Sequence, residues 1–177
     1  MCSPIGDGAA AAIIVSDKMA KRLGGSRTIK VRASVLKSGW DYEDGQPGVT
    51  ETVAKETYDL ASIGPDELDV VELHDASAPA ELMYYETLGL CPKGEGASFI
   101  RDGHSKLGGK MPVNPSGGLK AKGHPIGATG VSMHALSAMQ LTGEAGGIQI
   151  PDATLAGIFN MGGAAVANYV SILERIR

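Results

Sequence analysis

The chain has 177 residues, 43% apolar and 20% charged, with a formal net charge of −4. That is enough for one domain with a real core, and the mild acidity gives no electrostatic footprint for nucleic acid or an anionic membrane. No apolar run reaches the roughly 18 residues of a membrane-crossing helix, and the opening Met1-Cys2-Ser3-Pro4 lacks the basic and apolar regions of a signal peptide.

In chain order, Gly6-Asp7-Gly8 precedes the small and β-branched run 9–16, which predicts a strand buried on both faces. Asp17–Leu23 predicts a short helix ended by Gly24-Gly25. Arg27–Leu36 alternates basic and apolar residues and predicts a second strand. Trp40–Gly48 reads as a loop. Thr50–Ile63 predicts an amphipathic helix stopped by Gly64 and Pro65. Leu68–Leu73 predicts a strand, followed by His74-Asp75-Ala76-Ser77 and then by a helix with Pro79 in its first turn and Gly89 at its end. Residues 91–112 are rich in Gly, Lys and Pro and read as a loop. A long helix is predicted over Gly130–Leu141, apolar nearly all round, and then a loop over Gly143–Pro151. Thr154–Met161 and Ala164–Leu173 predict strands meeting in a tight connection at Gly162-Gly163. Strands alternating with helices and ending in adjacent strands predict an α/β layered domain with a mixed sheet.

The densest punctuation lies in Asn114-Pro115-Ser116-Gly117-Gly118 and Gly123-His124-Pro125-Ile126-Gly127-Ala128-Thr129-Gly130. Glycine permits positive φ and close approach, and proline fixes φ. A shaped loop is therefore expected, delivering an imidazole near a helix start. A phosphate cradle is disfavoured, since the Gly-Lys-[Ser/Thr] ending of a P-loop is absent. His74 follows a predicted strand, the usual position of ligand groups in α/β sheets. Asp75 beside it can either orient an imidazole or cap the next helix. The cysteines, Cys2 and Cys91, do not make a disulfide framework, so a reducing, cytoplasmic setting is expected. No Cys/His spacing suggests a metal site.

These residues carry a resemblance. Asn-Pro-Ser-Gly-Gly with Gly-His-Pro-Ile-Gly-Ala-Thr-Gly resembles the C-terminal signature of the thiolase superfamily, and Gly6-Asp7-Gly8-Ala9-Ala10-Ala11 is similar to that family's Ser-Asp-Gly-Ala-Ala-Ala segment. Conventional thiolases carry Asn-Glu-Ala-Phe where this chain has His74-Asp75. The sterol-carrier-protein-type and lipid-transfer thiolase-like proteins begin that loop with His-Asp, and Leu88-Gly89-Leu90-Cys91 also matches them. The resemblance implies the C-terminal βαβαβαββ half of a thiolase-like layered fold. Residues 1–24 would be the last strand and link of the N-terminal half, and residues 25–177 the C-terminal domain.

It also implies a site. His124 would activate a nucleophile and bind the thioester oxygen, and His74 would hold a catalytic water or polarise the same oxygen. Asn114, Ser116, Gly117, Gly118, Asn160, Gly162 and Gly163 would bind substrate or coenzyme A. Coenzyme A would enter as the substrate thioester, without metal. The family's nucleophilic cysteine belongs to the N-terminal half, so a partner half or subunit and an oligomer are expected, with no nucleic acid and no membrane span. The second, acid/base cysteine is replaced by Ala76 at one family position and Asn160 at the other. Neither side chain exchanges a proton at neutral pH, and Ser77 stands where phenylalanine is usual. These departures favour the cysteine-independent retro-aldolases of the same lineage, which act on steroid side chains, over thiolysis. Tyr85 is expected to be the acid/base. Cys2 precedes a loop rather than a helix start and is not expected to be a nucleophile. His104 and His134 carry no assigned role. The alternative is a non-catalytic acyl-CoA or lipid-binding module, or a structural subunit.

Overall fold

A computed structural model describes residues 1–25, 27–39, 46–163 and 165–176. Four strands form one mixed sheet in the order β1 (Ile29–Ser38), β4 (Ala167–Arg175), β3 (Leu155–Gly162), β2 (Val70–Leu73). The β1–β4 and β4–β3 pairs are antiparallel and the β3–β2 pair is parallel. The helices are α1 (Asp17–Leu23), α2 (Val49–Ala61), α3 (Ala78–Thr87), α4 (Gly96–Arg101), α5 (Gly118–Lys122) and α6 (Thr129–Thr142).

This is the expected βαβαβαββ order with one strand cut short. Val113 makes a single parallel bridge to Val71 where a third strand would run. Asn114, at φ 49°, turns the chain into the left-handed region and Pro115 follows, so extension stops after one residue. Two apolar cores flank the sheet. One gathers Val53, Leu73, Tyr85, Phe159, Val170 and Ile172 under α2 and α3. The other gathers Val70, Leu119, Met133, Leu141 and Ile158 under α5 and α6.

The structure departs from the sequence reading in five places. Residues 9–16 form no strand. They lie exposed, with Ile13 at 92% and Ile14 at 87% of full accessibility. A strand is held by its ladder and by burial of its side chains, and no described segment pairs with this run. Helix α2 is ended by Ser62, at φ 54°, whose N–H reaches back to Asp59 and Tyr58; Gly64 instead opens the short 3₁₀ turn Pro65–Glu67. The Gly-rich stretches 91–112 and 114–123 contain the short helices α4 and α5.

Helix α6 is not apolar all round. Thr129, Ser137 and Gln140 face inward with Met133 and Leu141, while Val131 and Met139 stay partly exposed. Gln140 points inward because its amide holds the chain at Ile148 and Ile150, at 2.8 Å each. The loop read at Trp40–Gly48 lies outside the described residues over 40–45. The strand read from Ala164 starts at Ala167, after the connection at Gly162-Gly163.

Ser62 is exposed and left-handed, a conformation that costs an L-residue roughly 1–2 kcal/mol relative to glycine. Glycine loses more chain entropy on folding, about 0.4–1 kcal/mol. Ser62→Gly should therefore raise stability by roughly 0.5–1 kcal/mol. Chemical denaturation should show a higher midpoint with an unchanged m-value.

Candidate active site

The site is built where β2 ends. Leu73 closes the strand, its N–H donating to Asn114 Oδ1 at 2.8 Å. The chain then delivers His74 and Asp75, both almost wholly buried. The Asp75 carboxylate faces α5, accepting from Leu119 N–H at 2.7 Å and Lys120 N–H at 3.4 Å. It thus caps α5, while Ser77 caps α3 by accepting from Ala80 N–H at 3.4 Å. The approach requires glycine, since a Cβ on Gly118 would collide with the Asp75 carboxylate and φ there is +62°. Glu72, 1% exposed, holds the same loop from below. Its carboxylate accepts from the Ser116 hydroxyl at 2.7 Å and faces Lys122 at 3.7 Å.

These clamps bring the His124 loop against His74. The two rings stand edge to face, centroids 4.9 Å apart and planes at 87°. Each ring has one nitrogen engaged. The Thr129 hydroxyl donates to Pro125 O at 3.1 Å, so its oxygen accepts from His124 Nδ1–H at 2.8 Å. His74 Nδ1–H donates to Asn160 Oδ1 at 2.7 Å. In both rings Nε2 is then the bare nitrogen, a proton acceptor when neutral and a donor only when charged. Burial holds the His74 pKa below its ordinary value, the Asn160 hydrogen bond raises it, and His124 lowers it. Two imidazolium ions this close would repel, so the pair holds one proton more readily than two.

Both rings line a cavity of about 450 Å³ together with Asn160, Met161, Gly162 and Gly163. Leu36, Ile126, Ala167 and Tyr169 complete the wall. The structure therefore unites His74, His124, Asn160, Gly162 and Gly163, as expected. It does not bring the other expected residues to the cavity. Asn114 caps β2, Ser116 binds Glu72, and Gly117 and Gly118 make room for α5 and Asp75. Tyr85 is a core residue, since the helical period turns it inward onto Phe99, and its hydroxyl donates to Glu81 at 2.6 Å. Burial and Glu81 push that phenol well above its usual range, and Tyr85 is not among the residues lining the cavity. Cys2 is exposed and its backbone bridges Ser77; Cys91 is half-buried, and burial raises its thiol pKa.

Two residues at the site were not foreseen. Thr129 follows from an i, i+4 hydroxyl-to-carbonyl bond at a helix start, a pattern legible only once the helix boundary is known. Tyr169 follows from the register of the terminal hairpin, which sets it opposite Asn160. Among the described residues, no group of three or more His, Cys, Asp or Glu side chains is arranged to hold a metal ion, and no helix is long and apolar enough to cross a membrane.

A pair of histidines at the end of a parallel strand, facing a glycine hairpin, is the arrangement expected of a thiolase C-terminal half. Residues 42–175 match the family described as thiolase C-terminal domain-like, and the chain belongs to that family. It is 44% identical to benzoylsuccinyl-CoA thiolase subunit BbsB of Thauera aromatica, over 84% of this chain and 40% of that protein. It is 40% identical to sterol carrier protein 2 of Oryctolagus cuniculus, over 93% of this chain and 32% of that protein. The chain thus spans less than half the length of these relatives. Its fold also matches a solved Ltp2-ChsH2(DUF35) aldolase, with a TM-score of 0.72 at 24% identity, over 83% of this chain and 39% of that one.

The titration of His74 tests the geometry. His124→Gln removes the neighbour that lowers its pKa and should move the His74 midpoint up; Asn160→Leu removes the bond that raises it and should move it down. Histidine NMR titration reads both, and shifts of the opposite sign would contradict the arrangement.

Proposed function

We propose that this chain is the C-terminal half of an enzyme that breaks or makes a carbon–carbon bond beside the carbonyl of an acyl-CoA thioester in lipid or steroid metabolism. Residues 1–24 belong, on this reading, to the N-terminal half, whose remaining part covers the exposed run around Ile13 and Ile14 and completes the cavity. The setting is cytoplasmic.

The observation that carries the proposal is the pair of imidazoles at one cavity, each with its Nδ1 committed and its Nε2 bare. One shared proton makes one ring a donor to a carbonyl oxygen and leaves the other as a base. That serves the formation and collapse of an enolate or alkoxide in a site where charge is weakly screened. Coenzyme A is supported as the substrate carrier by the names of the thiolase relatives. No cysteine stands at position 76 or 160, and Asn160 uses its side chain to orient His74. The chemistry favoured is therefore a retro-aldol cleavage that needs no second thiol. The second reading, a non-catalytic acyl-CoA or lipid-binding module, is supported by lipid-transfer relatives such as sterol carrier protein 2.

The deciding test uses the chain assembled with an N-terminal thiolase half, following cleavage of a 3-hydroxyacyl-CoA ester. His74→Ala and His124→Ala should each lower turnover about a hundredfold or more without loss of fold, and the double variant should lose less than the product of the two. Single variants that fold and keep near-full activity would leave the binding module as the better reading.

Association is a separate expectation. The isolated chain exposes Ile13, Ile14 and Ile126, apolar side chains that a partner half would cover on this reading. Light scattering at micromolar concentration should show self-association; a monodisperse monomer would count against a half-enzyme.

A further inference from the structure

The paired imidazoles face the carbonyl oxygen, and a residue pair outside the family signature can supply a further acid/base for the 3-hydroxyl proton. On the α6 side of the sheet, Leu36, Tyr169 and Asn160 are neighbours in register across β1, β4 and β3. Paired residues on adjacent strands share a face. Tyr169 accordingly lines the cavity with His74 and His124.

Behind Tyr169 stands His134 of α6. Its Nδ1 lies 2.7 Å from Gly130 O. A carbonyl only accepts, so Nδ1 carries the hydrogen and Nε2 is bare. The Tyr169 hydroxyl touches both nitrogens of that ring, Nδ1 at 3.1 Å and Nε2 closer still, with the two rings stacked at 5.5 Å between centroids. Nδ1 is committed to Gly130 O, so Nε2 is the nitrogen that can accept the phenol hydrogen. Burial lowers the His134 pKa, so the ring is neutral and free to accept near neutral pH.

We propose that Tyr169 is a catalytic acid/base of this site and that His134 is the reservoir for its proton, the two replacing the thiol absent from positions 76 and 160. The proposal rests on the carbon–carbon lyase reading above. In the cleavage direction, the 3-hydroxyl proton of the bound thioester passes to the Tyr169 oxygen as the phenol proton passes to His134 Nε2. The O–H electron pair becomes the new C=O bond. The Cα–Cβ bond breaks, and its pair moves to the α-carbon as a thioester enolate whose oxygen faces His74 and His124. The proton then returns from His134 through Tyr169 to the α-carbon. Atoms and electrons balance, and no oxidant or reductant is consumed.

The test is Tyr169→Phe and His134→Gln in the chain assembled with its N-terminal half, using a 3-hydroxyacyl-CoA ester and beside His74→Ala and His124→Ala. General acid–base catalysis contributes about 10²–10⁴-fold. Tyr169→Phe should thus lower kcat about a hundredfold or more and leave KM within about threefold. His134→Gln keeps an amide oxygen to accept the phenol hydrogen and hold the ring in place, but it removes the base. It should therefore lower kcat with KM held. Should Tyr169→Phe not fold, 3-fluorotyrosine at position 169 must change kcat through its more acidic phenol. If His74→Ala and His124→Ala are inactive while Tyr169→Phe or the fluorinated form turns over like the parent, the relay is wrong and the lyase reading stands. If all four substitutions leave turnover intact, both fail.

Discussion

The capping of α5 by the buried Asp75 carboxylate is the interaction on which the site depends. It joins the end of β2, which carries His74, to the segment that leads into His124. A hydrogen bond to a charged acceptor contributes about 1.5–3 kcal/mol, and a buried carboxylate without partners costs more. The two loops are therefore not free to separate while the chain is folded. Gly118 lets the carboxylate in, and Glu72 with Ser116 and Lys122 fixes the same loop from the sheet side. The N-terminal segment adds a third tie: Ser3 N–H donates to Ala76 O and His124 N–H to Pro4 O, both at 2.8 Å. One strand of backbone thus runs between the two histidine loops and bonds to each.

With the loops fixed, the protonation of the site follows from what each ring faces. Thr129 and Asn160 leave Nε2 of both histidines bare. Two neutral rings would offer no donor to an oxyanion, and two charged rings would repel. On the proposed chemistry a single proton held between the rings would make one a donor and leave the other a base. The Asn160 amide cannot exchange a proton at neutral pH, but it aligns the His74 ring.

Much of the fold could be read from the sequence because its signals were local. The helical stripe of α2, Pro79 opening α3, the Gly24 stop of α1 and the Gly162-Gly163 hairpin need no distant partner. The errors came where a distant partner decides. The run 9–16 has strand composition, but nothing among the described residues pairs with it. Tyr84 and Tyr85 are adjacent on a helix, and only packing against Phe159 and Phe99 shows that both turn into the core. The helices α4 and α5 are one to two turns long and are held by caps and contacts rather than by propensity. Asn114, Ser116, Gly117 and Gly118 belong to a recognisable signature, yet their polar groups and space serve Leu73, Glu72 and Asp75. Tyr169 was invisible for the converse reason, since its place beside Asn160 is a property of register.

The most direct measurement is a crystal structure of the chain assembled with its N-terminal half and bound to a non-cleavable thioether analogue of a 3-ketoacyl-CoA. The account requires the analogue in the cavity between His74, His124 and Asn160, with one carbonyl oxygen at about 3 Å from Nε2 of both histidines. An analogue bound with its carbonyl groups turned away from both rings, or seated on another surface while this cavity stays open, would contradict it.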